Sequence, residues 1–237
     1  LYSGSAWVTR TSAEFSLALG TITNALPYDV FVYDNARTPT AEKLAWTNGT
    51  TRATALTTQD GVLVKSGDAT RRYIGTFYTS STTTTEDSLS KRYLWNYYNR
   101  LEKMLAAYDS TDTWTYAVAA WRQARANTAN QVDFIVGWNE DMFAADVQGV
   151  YQYVSGTTAG AVGIGLDSTS ANSANLFSEN TASGSSYFRS VSKYKGFVGV
   201  GKHYFAWLEY ARTGTVTFWG DGGVADAGCG ILASGRF

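Results

Sequence analysis

Cysteine, histidine and proline are almost missing from this chain, which holds one Cys, one His and two Pro in 237 residues. A lone cysteine, Cys229, excludes an intrachain disulfide, and with His203 as the single histidine no His/Cys cluster can hold zinc within one chain. A Ser-His-Asp triad would have to be built on His203. Charge is sparse as well. Charged residues make up 16% of the chain, against roughly 25% in an average soluble domain. The 19 Lys and Arg nearly cancel the 20 Asp and Glu, leaving a net charge of -1. No global field draws the protein to nucleic acid or to an anionic membrane, and neither is expected as a partner. Apolar runs stay well short of the ~20 residues that span a bilayer, so membrane insertion is not expected. The opening LYSGSAWVTR has neither the basic start nor the apolar stretch of a signal peptide. Because the chain begins at Leu1 without a methionine, it reads as a processed or trimmed piece of a longer protein, and export stays open.

Aromatic residues are plentiful: 8 Trp, 16 Tyr and 11 Phe, in a chain that is 44% hydrophobic. That exceeds what core filling asks for, so some rings are expected to face ligands or partner chains. Extensive disorder is excluded.

The patterning is that of short strands. Phe15, Leu17 and Leu19 share one face of an expected strand over 14–19, and a Val/Phe/Tyr strand follows over 29–34. Asn48-Gly49 signals a turn, and runs over 61–65 and 71–78 complete a meander of at least five strands. The polar stretch TSSTTTTEDS at 79–88 marks a surface loop or seam. Beyond it, Tyr93 to Tyr98 carries large rings on both faces and reads as a strand, followed by a helical turn over 101–107; a helix across the whole segment is the rival reading. Strand-length runs recur over 114–121, 131–138, 149–154, 161–166, 196–201, 204–210 and 215–219. A long Ser/Asn-rich loop spans 167–186. These features predict an all-β, jelly-roll-like β-sandwich, one domain over 1–237 with a seam at 79–88.

Few residues carry chemistry. His203 reads as a sheet residue rather than a general base. Glu140, Asp141, Asp133, Glu179 and Glu209 are the carboxylates from which a glycosidase pair would have to come, with Glu140-Asp141 read first as an exposed acidic turn. Gly160, Gly163 and Gly165 have the spacing of a dinucleotide loop but sit inside a strand run, so no cofactor is expected. Asp221-Gly222-Gly223 with Asp226 lacks calcium-loop spacing and reads as a glycine turn, so no metal is expected. Arg71-Arg72, Lys91-Arg92 and Arg122 with Arg125 are short basic clusters expected to pair with acids or cover neighbouring chains. The recognition candidates are Trp114, Tyr116, Trp138, Trp219 and Asp221, rings and an acid near strand ends suited to a sugar face.

Taken together, Trp46-Thr47-Asn48, Gln59-Asp60-Gly61, Arg71-Arg72-Tyr73-Ile74-Gly75-Thr76-Phe77 and Lys91-Arg92-Tyr93-Leu94-Trp95-Asn96-Tyr97-Tyr98-Asn99-Arg100 resemble a pattern of structural proteins from tailed bacteriophages. The similarity is strongest over 28–125. It implies a β-rich virion component of tail-fibre, spike or head-fibre type, located on the particle surface and not a catalyst. The resemblance also implies a homotrimer that contacts other virion proteins and a host surface polysaccharide. Two rivals are carried: a head decoration or tail-assembly protein with no receptor role, and a polysaccharide depolymerase.

Overall fold

Strands make up nearly every element of the computed structural model, which describes residues 1–153, 157–183, 186–220 and 228–237. Eighteen strands follow one another: β1 (Pro27–Asn35), β2 (Thr38–Ala45), β3 (Leu56–Gln59), β4 (Val62–Lys65), β5 (Asp68–Tyr78), β6 (Lys91–Arg92), β7 (Leu94–Asn96), β8 (Glu102–Tyr108), β9 (Thr113–Tyr116), β10 (Arg122–Gln123), β11 (Gln131–Val136), β12 (Phe143–Tyr153), β13 (Thr157–Leu166), β14 (Glu179–Ser183), β15 (Ser186–Gly196), β16 (Gly201–Thr213), β17 (Val216–Trp219) and β18 (Gly230–Arg236). The helical content among the described residues is one 3-10 turn at Ala124–Ala126.

The C-terminal part is a two-sheet sandwich. In the front sheet β15 pairs with β12, and β12 pairs on its other side with both β17 and β18, which pair in turn with β9 and β8. In the back sheet β14, β13 and β16 run in order, and β16 is flanked by both β10 and β11. Counting β8/β9, β10/β11 and β17/β18 as single interrupted positions, the first strand pairs with the eighth, the second with the seventh, the third with the sixth and the fourth with the fifth. That is the antiparallel winding of a jelly roll, as the strand pattern predicts.

Between the sheets the core is aromatic. Phe134 stacks on Phe143 at 4.8 Å, and Trp207 of the back sheet meets Trp114 of the front sheet edge-on at 5.8 Å. Tyr151, buried in β12, donates to the Gly160 carbonyl of the facing sheet at 2.9 Å. Gly149 leaves room for Val162, whose Cγ1 would lie 2.4 Å from a Cβ there. Close packing of this kind tolerates little change in volume.

The third sheet, in the order β2-β1-β5-β4-β3 with β7 also on β5, comes from residues 27–96. The chain hands over between sheets at one point: β6 pairs in parallel with β11 of the sandwich, and β7, beginning two residues later, pairs with β5. Phe31, Leu63, Tyr73 and Trp95 of the N-terminal sheet belong to the same continuous core as the sandwich aromatics. A buried polar staple reinforces the join. Arg52 donates to Asp29 at 2.8 Å, lies over the Trp46 ring at 4.5 Å and donates to the carbonyl of Gly137. Burial pushes the Asp29 carboxyl up despite that arginine. Gly137 is obligatory there, since a Cβ would stand 2.3 Å from the Tyr73 hydroxyl and 2.4 Å from the Trp95 ring.

Several sequence expectations are corrected. Residues 14–19 form no strand. The turn expected as helical over 101–107 is strand β8, because Leu105 and Ala107 alternate into the core. The strand expected over 196–201 is instead the connection between β15 and β16, and the long loop at 167–186 contains β14.

Candidate functional site

The five predicted recognition residues do not converge. Trp114 and Tyr116 stand two residues apart on β9, opposite Phe218 and Val216 of β17, and therefore face inward. Trp114 Nε1 donates to Glu209 Oε2 at 2.5 Å and its ring stacks on Phe218 at 6.3 Å. The Tyr116 ring is covered by the guanidinium of Arg122 at 3.9 Å, and its hydroxyl donates to the Ala120 carbonyl. Arg122 in turn meets Glu209 Oε1 at 2.6 Å. Glu209 is fully buried, and burial raises its carboxyl above the ordinary range even though Trp114 and Arg122 both favour its charge. Both rings thus clamp a buried ion pair rather than offering a sugar platform. Trp138 is half-buried against the core at the start of the 137–142 connection. Trp219 alternates with Phe218, so it lies on the outward face of the front sheet, 5.8 Å from the ring of Tyr187. Asp221, like Asp226, lies outside the described residues.

Each candidate carboxylate is tied to a cation. Glu140 and Asp141 share Arg100 at 2.6 and 2.5 Å, so the expected free acidic turn is anchored. Asp133 pairs with Lys202 and Glu179 with Arg212. His203, buried in β16, bonds through Nδ1 to Asp167 Oδ2 at 2.7 Å, and its Nε2 has no partner among the described residues. The basic clusters also find acids: Arg71 binds Glu42, Lys91 binds Glu86, Arg92 binds Asp87 and Arg125 binds Asp109. Asp109 is the most heavily bonded carboxylate of these. Burial works against its charge, yet donors from Arg125, Asn130 and the Thr111 backbone outweigh it and hold the carboxyl well below the usual range. It links the 109–112 connection of the front sheet to the 124–130 connection of the back sheet. The glycines at 163 and 165 serve packing: a Cβ at Gly163 would meet Trp121 at 2.8 Å and Asn172 at 2.9 Å.

What the molecule does gather is an outward apolar face. Register places Lys193, Asp146, Leu232 and Ala106 in one cross-strand row of the front sheet, and Val191, Gln148, Gly230 and Tyr108 in the next. Because Val147 and Ile231 point inward, these rows point out. Tyr108 is 53% exposed, Met104 52%, Leu232 42% and Val191 41%, with Tyr187 at 62% on the same face. A shallow cavity of about 480 Å³ opens among Tyr108, Gln148, Val191 and Leu232, bordered by the Lys193–Asp146 ion pair at 2.9 Å. Scattered exposed apolar residues are ordinary, whereas here several cluster on one sheet face. The sequence pattern does not single out these positions, since β8, β15 and β18 carry no strong strand signal.

Comparisons add little. No family model matches the chain. No curated protein matches it either. Among solved structures, a chain from "Structure of infectious bursal disease virus Gx strain" is similar at 11% identity and a TM-score of 0.17. That match covers 96% of this chain and 62% of the other, and an overlap of that quality carries no argument.

Proposed function

We propose that this chain is a structural module of a bacteriophage particle, of fibre or spike type, that assembles as a homotrimer and presents loops to a host surface polysaccharide. The observation that carries the reading is the apolar face of the front sheet, with Met104, Tyr108, Val191 and Leu232 exposed on neighbouring strands. The bacteriophage-like motifs over 28–125 and the absence of an assembled catalytic cluster among the predicted residues support it. In a closed trimer each copy would bury this face against its neighbour, and bare aromatic and aliphatic surface would become interior.

Light scattering tests the self-association. The expected mass is near three times 25.8 kDa. Tyr108→Asp with Leu232→Asp should bring it down to a single chain while the circular dichroism stays unchanged. A wild-type monomer at high concentration, or a double variant that keeps the wild-type mass, overturns the reading. Receptor contact is tested by adsorption: Trp138→Ala in the 137–142 connection should reduce attachment of particles to host cells, and unchanged adsorption removes the polysaccharide role.

A further inference from the structure

Residues 14–19 combine a strand's sequence with no strand's bonding. Phe15, Leu17 and Leu19 alternate with polar or small residues, the period-2 pattern of a half-buried strand. In the folded chain the segment nevertheless runs without a sheet partner. Backbone hydrogen bonds resume only outside it: Val8 donates to Leu1 and Ile22 to Thr82, and among the described residues no backbone N–H from 9 to 21 donates within the chain. Side chains hold the segment from both ends. Arg10 binds Asp34 through Nε and Nη2 at 2.9 and 2.6 Å, Lys43 Nζ reaches the Ala18 carbonyl at 3.3 Å, and Leu19 packs beside Ile22, Tyr28 and Phe77. Phe15 stands 44% exposed between these anchors. A sequence whose local preference disagrees with its monomeric surroundings is where a missing partner is to be looked for.

The molecule also holds the complementary feature. β2 is the outermost strand of the N-terminal sheet, paired with β1 on one side and, among the described residues, with no strand on the other. Other long edges each carry a backbone contact: the Lys193 backbone of β15 exchanges hydrogen bonds with Leu176, and the Ala106 N–H of β8 bonds the Leu89 carbonyl. β3 and β14 are only four and five residues long. Pro39 removes a donor near the start of β2, leaving Thr40 to Ala45 as six residues able to extend a ladder, the same length as Glu14 to Leu19. An exposed edge of this length is a template for another strand.

We propose that on self-association Glu14–Leu19 of one copy adds as a strand to the free edge of β2 in a second copy. The extended arm is then a reciprocal clasp between subunits. It supplies the backbone ladder that the apolar front face lacks, and it goes beyond the proposed function in naming which segments join.

Leu17→Pro tests this. Proline removes one ladder donor and clashes with a paired strand, whereas in the single chain the Leu17 N–H finds no backbone acceptor among the described residues. The variant should fold with unchanged circular dichroism and self-associate about tenfold or more weakly. Hydrogen exchange on the wild-type chain reads the same event: amides in 14–19 and 40–45 should gain protection as concentration rises through the association range, and Leu17→Pro should abolish the gain. Amides of 14–19 that exchange freely in the assembled wild-type protein overturn the proposal, as does an assembly that Leu17→Pro leaves equally tight. If Tyr108→Asp with Leu232→Asp dissociates the protein while Leu17→Pro does not, the clasp fails and the front-face reading stands. If only Leu17→Pro dissociates it, the clasp stands and the front face is not the interface.

Discussion

The two outward faces of the sandwich are treated differently by the same chain. On the back sheet, Ile135 points away from the inter-sheet core yet is fully buried, because the N-terminal sheet packs over it through β5 and β7. Further along the same sheet, Trp121 lies across Gly163 and meets Tyr210 at 5.0 Å and Phe177 at 5.8 Å. The front sheet instead keeps Met104, Tyr108, Val191 and Leu232 bare on neighbouring strands. The fold thus spends the N-terminal sheet of about 70 residues on covering one outward face while leaving the other open.

That contrast can be broken from the interior outward. Arg122→Ala leaves Glu209 buried with Trp114 as its remaining side-chain donor, and the cost should be about 3–5 kcal/mol in urea unfolding. A loss below 1 kcal/mol would mean that water reaches the carboxylate. Gly137→Ala comes next: its methyl must displace the Tyr73 hydroxyl and the Trp95 ring, so about 1–3 kcal/mol should be lost, with near-ultraviolet dichroism reporting loosened tyrosine and tryptophan packing. Unaltered stability would show that the N-terminal sheet is not locked onto the sandwich there.

Acid sharpens the comparison further. Asp109 has its carboxyl held below the ordinary value of 3.8, so its contribution is complete above that value and is lost as pH falls through and below it. Asp29 and Glu209 are shifted upward and act in the opposite sense, their charged forms being costly in the fold, so stability carried by them rises on acidification toward their ordinary values. Asp109→Asn should therefore lower stability at neutral pH and flatten the acid limb of the pH profile measured by thermal unfolding. An unchanged acid limb would remove Asp109 as its cause. The smallest stability effect belongs to the front face, where Leu232→Asp, compared with the parent at concentrations too low for self-association, should stay within about 0.5 kcal/mol of it. A larger loss would mark that face as part of the core rather than a docking surface.

Much of the architecture was legible in the residue order. Alternation located β1, β5, β11, β16 and β17, and the pairing of basic clusters with acids follows the expectation. The failures share a cause. β8 and β18 are rich in Ala, Gly and Met, so their strand character comes from long-range pairing with each other and not from local propensity. The site was far less legible, because a tryptophan near a strand end has the same local sequence whether it faces in or out. Trp114 and Trp219 are separated by one residue of register, and that single step puts one against Glu209 and leaves the other half-buried beside Tyr187 on the opposite face. Trp121, Phe177 and Tyr210 were missed as a group, and the signal available was the glycine spacing at 163 and 165, which reads as room for a neighbouring ring.

The interrupted strands have a consequence for how this protein can be altered. Trp219 is held opposite Val150 and Gly230 opposite Gln148, so β17 and β18 dock end to end along the same side of β12. Register on either side is fixed by β12, independently of how much chain lies between. Closure entropy grows only slowly with length. The chain between Trp219 and Gly230 can therefore be lengthened with the registers of β17 and β18 on β12 unchanged.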